Sequence, residues 1–171
     1  MDLKPHILEQ VEIEVYEDFT CPACQKFSLE TLPALQKRYG DALLIRKHYV
    51  AAPSTQPSAV LLYHAAQAKK DVNPEAVATA IFRAGLEHES TPENDRRVYE
   101  VARAFGLQGA LEASEDDADR VARVREEWAS VSHVVAHFPF VVIEGEIATN
   151  GDLDNLFLIL DSLLRSGRKN S

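Results

Sequence analysis

Cysteine occurs only twice in the 171-residue chain, at Cys21 and Cys24 of the segment Cys21-Pro22-Ala23-Cys24. A thiol–disulfide exchanger needs one thiolate that attacks and a second thiol that resolves the mixed disulfide. The two sulfurs must close an S–S bond of about 2 Å without moving the backbone. Positions i and i+3 at a helix start meet this condition, because they share one side of the first turn. That turn also offers unpaired N–H groups and the positive end of the helix dipole, and both favour a thiolate. Cysteine pKa values in such settings fall to roughly 3.5–7.5. Cys21 is therefore expected to be the exposed attacking sulfur and Cys24 the buried resolving one. Pro22 pre-sets helical φ just after the attacking residue. A disulfide this short constrains the unfolded chain little, so its purpose is chemistry rather than stapling.

Two other readings stand beside this one. The pair could be two buried, inert cysteines. It could also be half of a zinc site completed by His133 and His137, whose i, i+4 spacing on a helix suits a ligand pair. Against the second reading, about a hundred residues separate the halves. Against both, the pair follows directly on a strand and opens a helix.

The elements that must position these sulfurs are legible from periodicity. Residues 11–17 alternate apolar and acidic side chains, a period-2 strand with one buried face. From Cys21 to Tyr39 the pattern is helical, with Phe27, Leu32 and Leu35 on the apolar side, Pro33 as a kink and Gly40 as a stop. Leu43 to Val50 reads as a second strand. Residues 58–69 are an alanine-rich helix. Asn73-Pro74 and Thr91-Pro92 each start a further helix, and Gly106 and Gly109 end the second. Ser114 and Asp117 resemble a capping box. They are expected to open one long helix reaching His137, with Val121, Ala122, Trp128 and Val135 inward. Phe140 to Glu144 is an apolar strand, Glu146 to Thr149 its antiparallel return, and Asp152 caps a final helix striped with leucine.

This order predicts an α/β fold, a mixed sheet covered by helices. Residues 57–113 interrupt it as an inserted helical subdomain, leaving 1–56 and 114–171 as the sheet-bearing unit. Hydrophobic residues make up 46% and charged residues 26% of the chain, enough for a packed core. A formal charge of −9 argues against nucleic acid or an anionic membrane surface as the main partner, since both need basic patches. No apolar run approaches the roughly 18–20 residues of a membrane span. Met1 to His6 lack an apolar stretch of signal-peptide length. The expected compartment is the periplasm or cell envelope if a signal has been removed, and the cytoplasm otherwise.

With Cys-Pro-Ala-Cys following an apolar strand, the chain resembles the thioredoxin superfamily and, within it, the DsbA-like branch. Val15 to Cys24 (VYEDFTCPAC) is similar to that branch's strand, acidic-aromatic lead-in and redox helix. The helical block matches its inserted domain. Phe138 to Gly145 (FPFVVIEG) resembles the loop and strand where a cis-proline faces the cysteines. The resemblance implies a thioredoxin fold with a helical insertion, Cys21 as nucleophile, Cys24 as resolving thiol and Pro139 as the cis-proline. Phe138 stands where the family's backbone pairs with an extended substrate. Pro22, Ala23 and Glu17 are supporting residues. The Cys21-Cys24 disulfide would be the redox group, with no separate cofactor and no metal. Partners would be cysteine-containing protein substrates and a separate redox protein.

Three departures qualify the likeness. The residue six before Cys21, often acidic in the superfamily, is Val15. Glu14 or Glu17 could replace it as proton acceptor, although Glu17 could equally be solvated. The Pro-Ala dipeptide lacks the histidine of strongly oxidising relatives, which predicts a potential between the reducing and strongly oxidising extremes. Phe138 is bulkier than the usual residue before the cis-proline. A thiol–disulfide oxidoreductase acting on protein cysteines is the expected activity. The alternatives are a non-catalytic module holding extended peptides at Phe138 and Phe140, and the zinc site of Cys21, Cys24, His133 and His137.

Overall fold

The alternation of Val11–Glu17 becomes β1, whose residues are alternately buried and half-buried along its whole length. A computed structural model describes residues 8–164, so the reading of Met1 to His6 lies outside the described residues. β2 (Leu43–Tyr49) pairs parallel to β1 with Val15 opposite Lys47. β3 (Phe140–Ile143) pairs antiparallel on the other side of β1, with Tyr16 opposite Phe140, and β4 (Ile147–Asn150) pairs antiparallel to β3. The sheet order is β2-β1-β3-β4, a mixed sheet as expected.

The first helical stretch is continuous but changes pitch. It runs as α1 (Pro22–Lys26), a π turn over Phe27–Thr31 and α2 (Leu32–Tyr39). Pro33 has no N–H to give the preceding turn, and the π turn ends at Thr31, two residues before it. α3 (Ser58–Gln67), α4 (Pro74–Ala84), α5 (Pro92–Ala104), α6 (Gln108–Glu115) and α7 (Ala118–Val131) follow, and α8 (Leu153–Leu164) is the last helix of the described residues. Local caps start several of them. Asn73 Oδ1 accepts the Glu75 and Ala76 amides, Thr91 Oγ1 the Asn94 amide and Asp152 Oδ1 the Asn155 amide.

Two cores result. The sheet buries Val11, Ile13, Val15, Val141 and Ile143 against Phe27, Leu35, Leu156 and Leu160. The second core joins Phe19, Cys24 and Tyr49 to Leu61, Leu62, Ile81, Phe82, Leu107, Leu111 and Val124 of α3 to α7 and the α5–α6 turn. Cys24 is thus packed against the helices, one turn from the sheet. None of the described helices is long and apolar enough to cross a membrane.

The long helix expected from Ser114 to His137 is two helices and a loop. Ser114 is buried inside α6, where its hydroxyl donates to the Ala110 carbonyl at 2.8 Å rather than capping anything. Asp117 is the cap, its Oδ1 accepting the Asp119 and Arg120 amides at 3.1 and 3.2 Å. Gly109 does not end a helix but lies within α6, because burying Leu107 and Leu111 outweighs glycine's helix cost of about 1 kcal/mol. α7 buries Val124, leaves Ala122 exposed and stops at Val131, so Val135 lies beyond it. Past that point Val134 is 62% exposed, so a further turn would present an apolar side chain to water.

Candidate functional site

Cys21 is the N-cap of α1 and Pro22 its first residue. The cap position turns the Cys21 sulfur toward the open amides of the first turn, and the Cys24 amide points at it across 3.4 Å. Cys21 is partly exposed and Cys24 fully buried, and both are free thiols. A hydrogen bond from the Cys24 thiol, then the amides of Cys24 and Ala23, pull the Cys21 pKa down to about 6 against the opposing pull of burial. The same thiol contact, with burial, pushes Cys24 far up. The two sulfurs are thereby made unequal, one anionic near neutrality and one held as a thiol.

The turn before them is fixed by Asp18. Its carbonyl accepts the Cys21 amide at 3.1 Å, and its carboxylate accepts both the amide and hydroxyl of Thr20. Thr20 in turn meets His88 Nδ1 at 3.3 Å, a contact from the α4–α5 loop. On the other side, the Cys21 sulfur lies 3.7 Å from the Phe138 carbonyl, and the Phe138–Pro139 peptide bond is cis. Phe138 also packs on Trp128, ring centroids 5.7 Å apart. A groove of about 570 Å³ runs beside the pair, lined by Ala23, Phe27, His137, Phe138, Pro139 and Gly151 among others. Gly151 makes the close packing possible. A Cβ there would stand 2.6 Å from Pro139 Cγ and 2.7 Å from Phe27 Cδ2.

Glu17 is fully buried, not solvated. The Ser28 hydroxyl is within 2.9 and 3.1 Å of its two oxygens. Burial raises its pKa to about 7, opposed chiefly by the Lys47 ammonium. Glu14 is elsewhere, half-exposed between the Tyr16 hydroxyl and His48. The signal for Glu17 was in the period-2 pattern, which puts it on the face of Val11, Ile13 and Val15. Lys47, Glu75, Thr20 and His88 were not singled out by sequence reasoning. Lys47 is paired with Glu75 at 2.5 Å, and Glu75 also accepts the Tyr63 hydroxyl at 3.1 Å. These partners lie far apart in the chain and carry no motif.

The histidine pair does not join the cysteines. His133 and His137 are exposed in the segment after α7, where no helix sets them one turn apart. Among the described residues no three His, Cys, Asp or Glu are grouped to hold a metal ion.

Comparison with known proteins identifies the architecture. A family model described as Thioredoxin matches residues 10–162. BdbD from Bacillus subtilis, in its oxidised form, superposes with a TM-score of 0.70 at 15% identity, covering 91% of this chain and 88% of that one. Wolbachia pipientis alpha-DsbA1 gives a TM-score of 0.75 at 15% identity, over 91% and 86% of the two chains. Chlamydia trachomatis DsbA gives 0.66 at 14% identity, over 91% and 87%. At these identities the likeness establishes the fold. No curated protein matches in sequence.

Proposed function

The chain belongs to the thioredoxin family with a DsbA-like fold, and from that premise we propose that it exchanges disulfides with cysteines of protein substrates through Cys21 and Cys24. The observation that carries this is the placement of the two sulfurs, a partly exposed Cys21 that caps α1 and takes the Cys24 amide at 3.4 Å, above a fully buried Cys24. The Cys21 thiolate attacks one sulfur of a substrate disulfide. A Cys21–substrate S–S bond forms, and the other substrate sulfur leaves as a thiolate. Cys24 then gives up its proton, and its sulfur attacks Cys21. The Cys21–Cys24 bond forms and the first substrate sulfur leaves as a thiolate. Two electrons have passed from the cysteine pair to the substrate, and the reverse sequence oxidises a substrate dithiol.

Glu17 is proposed as the acceptor of the Cys24 proton, directly or through water. A carboxyl with pKa about 7 both takes and returns protons near neutral pH, and its charge already acts on Cys24. Phe138 and Pro139 form the wall on which an extended substrate lies. Residues 1–56 and 114–171 would carry the chemistry, with 57–113 as the helical cover. The resemblance argues for the cell envelope as the setting. A thiolate near 6 is intermediate between the strongly oxidising and reducing members, which supports a potential between about −270 and −120 mV.

The test is turnover of a disulfide-bonded protein. Cys21→Ser should abolish it, and Cys24→Ser should accumulate a mixed disulfide at Cys21. Turnover that survives Cys21→Ser would refute the assignment.

A further inference from the structure

We infer that Glu75, on the helical block, is a positioning residue for the redox pair. By holding the Lys47 ammonium it sets how readily Glu17 exchanges a proton with Cys24. The inference rests on the reading of Glu17 as proton acceptor.

A buried carboxylate is costly unless paired. One hydroxyl, Ser28, reaches both Glu17 oxygens, and a hydroxyl has a single proton to give. What Ser28 leaves uncompensated is met by a nearby cation when Glu17 is ionised, or by Glu17 keeping its proton. Lys47 is on β2, the strand paired with β1, and its side chain is only 12% exposed. Its ion pair, however, is with Glu75 at 2.5 Å. Among the described residues no ion pair joins Lys47 to Glu17. The Tyr63 hydroxyl donates to the other Glu75 oxygen at 3.1 Å and fixes that carboxylate in place. Lys47 is thus ion-paired to Glu75 while its charge also acts on Glu17, and Glu75 acts on Glu17 in the opposite sense.

The groups acting on Glu17 are Cys21 and Lys47, Ser28 and Glu75, with Cys24, Tyr49 and Tyr63 in the same electrostatic neighbourhood. Lys47 lowers the Glu17 pKa and Glu75 raises it. Neutralising Glu75 removes an anion and leaves Lys47 uncompensated. Both effects favour ionised Glu17. Neutralising Lys47 acts in the opposite sense. A contact between the helical block and β2 thus tunes a proton held beneath the redox helix, and opposite signs from two neutral substitutions are its signature.

The experiment is a ¹³C-carboxyl NMR titration of the reduced full chain, with Glu17→Gln used to assign the Glu17 signal. Glu75→Gln should lower the Glu17 midpoint by about one pH unit, and Lys47→Gln should raise it by about the same. In parallel, release of glutathione from a Cys21–glutathione mixed disulfide is followed against pH. Its acid limb should vanish in Glu17→Gln, move down in Glu75→Gln and move up in Lys47→Gln. Midpoints that stay fixed, or that move the same way in both variants, overturn the inference even if the limb depends on Glu17. A limb that survives Glu17→Gln overturns the proton-acceptor reading itself, and the inference with it. Should Lys47→Gln not fold, the sign of the Glu75→Gln shift alone decides.

Discussion

The Cys24 amide points at the Cys21 sulfur across 3.4 Å, and the Cys24 thiol, the largest of the influences that pull the Cys21 pKa down, acts on that same sulfur. One residue therefore supplies two of the groups that make its partner anionic. The thiolate absorbance of the reduced protein should titrate with a midpoint near 6, and alkylation of Cys21 should follow the same curve. Cys24→Ala removes the thiol donor but keeps the amide, so the midpoint should rise toward the ordinary 9 without reaching it. An unchanged midpoint in Cys24→Ala would show that the backbone alone sets the thiolate.

Much of this arrangement is legible in the residues because it is local. The alternation of Val11, Ile13 and Val15, the cap-and-proline pairs at Asn73-Pro74 and Thr91-Pro92, and the i, i+3 cysteines all act within one strand or turn. Glu17 shows where local reading fails. Its position places it on the buried face, while its charge argues for water, and only the packing of Ser28 and the redox helix over it decides. The Lys47–Glu75 pair depends on how α4 docks, which no periodicity reports. The premature end of α7 is likewise tertiary, since a helix continues only while it has a face to bury.

Burial of Glu17 has a pH signature in stability. Its folded pKa is about 7 against an ordinary 4.5. Between those values the folded chain keeps a proton that the unfolded chain has lost, so stability falls as pH rises through this window. Below 4.5 the penalty is absent, and above 7 it is complete at about 3 kcal/mol. Glu17→Gln should therefore stabilise the reduced protein by about 3 kcal/mol at pH 8 and by much less at pH 5. Urea unfolding at both pH values checks this. Equal effects at the two would mean that Glu17 ionises normally in the fold.

Phe138 offers a separable test of substrate contact. Its carbonyl lies 3.7 Å from the Cys21 sulfur, and its ring packs on Trp128. Phe138→Ala should leave the Cys21 titration in place. It should alter the fluorescence of Trp128, the single tryptophan of the chain. If the ring forms part of the substrate wall, its loss should raise KM for a protein substrate roughly fivefold, as expected for about 1 kcal/mol of lost aromatic contact. A changed Trp128 signal with unchanged KM would confine the ring to a structural role.

Gly151 is the tightest point behind the groove. The β4–α8 turn brings its Cα so close to Pro139 and Phe27 that an added Cβ would stand 2.6 and 2.7 Å from their carbons. Neither neighbour yields easily. Pro139 is a ring in the backbone beside Cys21, and Phe27 is 1% exposed in the sheet core. Gly151→Ala must displace one of them, and overpacking of this kind costs about 1–3 kcal/mol. Because the displaced wall is the one facing the redox pair, activity should fall by more than the lost stability explains. Turnover measured well below the unfolding transition separates the two effects. A variant with lowered Tm but full turnover would show that Phe27 absorbs the strain, leaving the Phe138–Pro139 wall where it was.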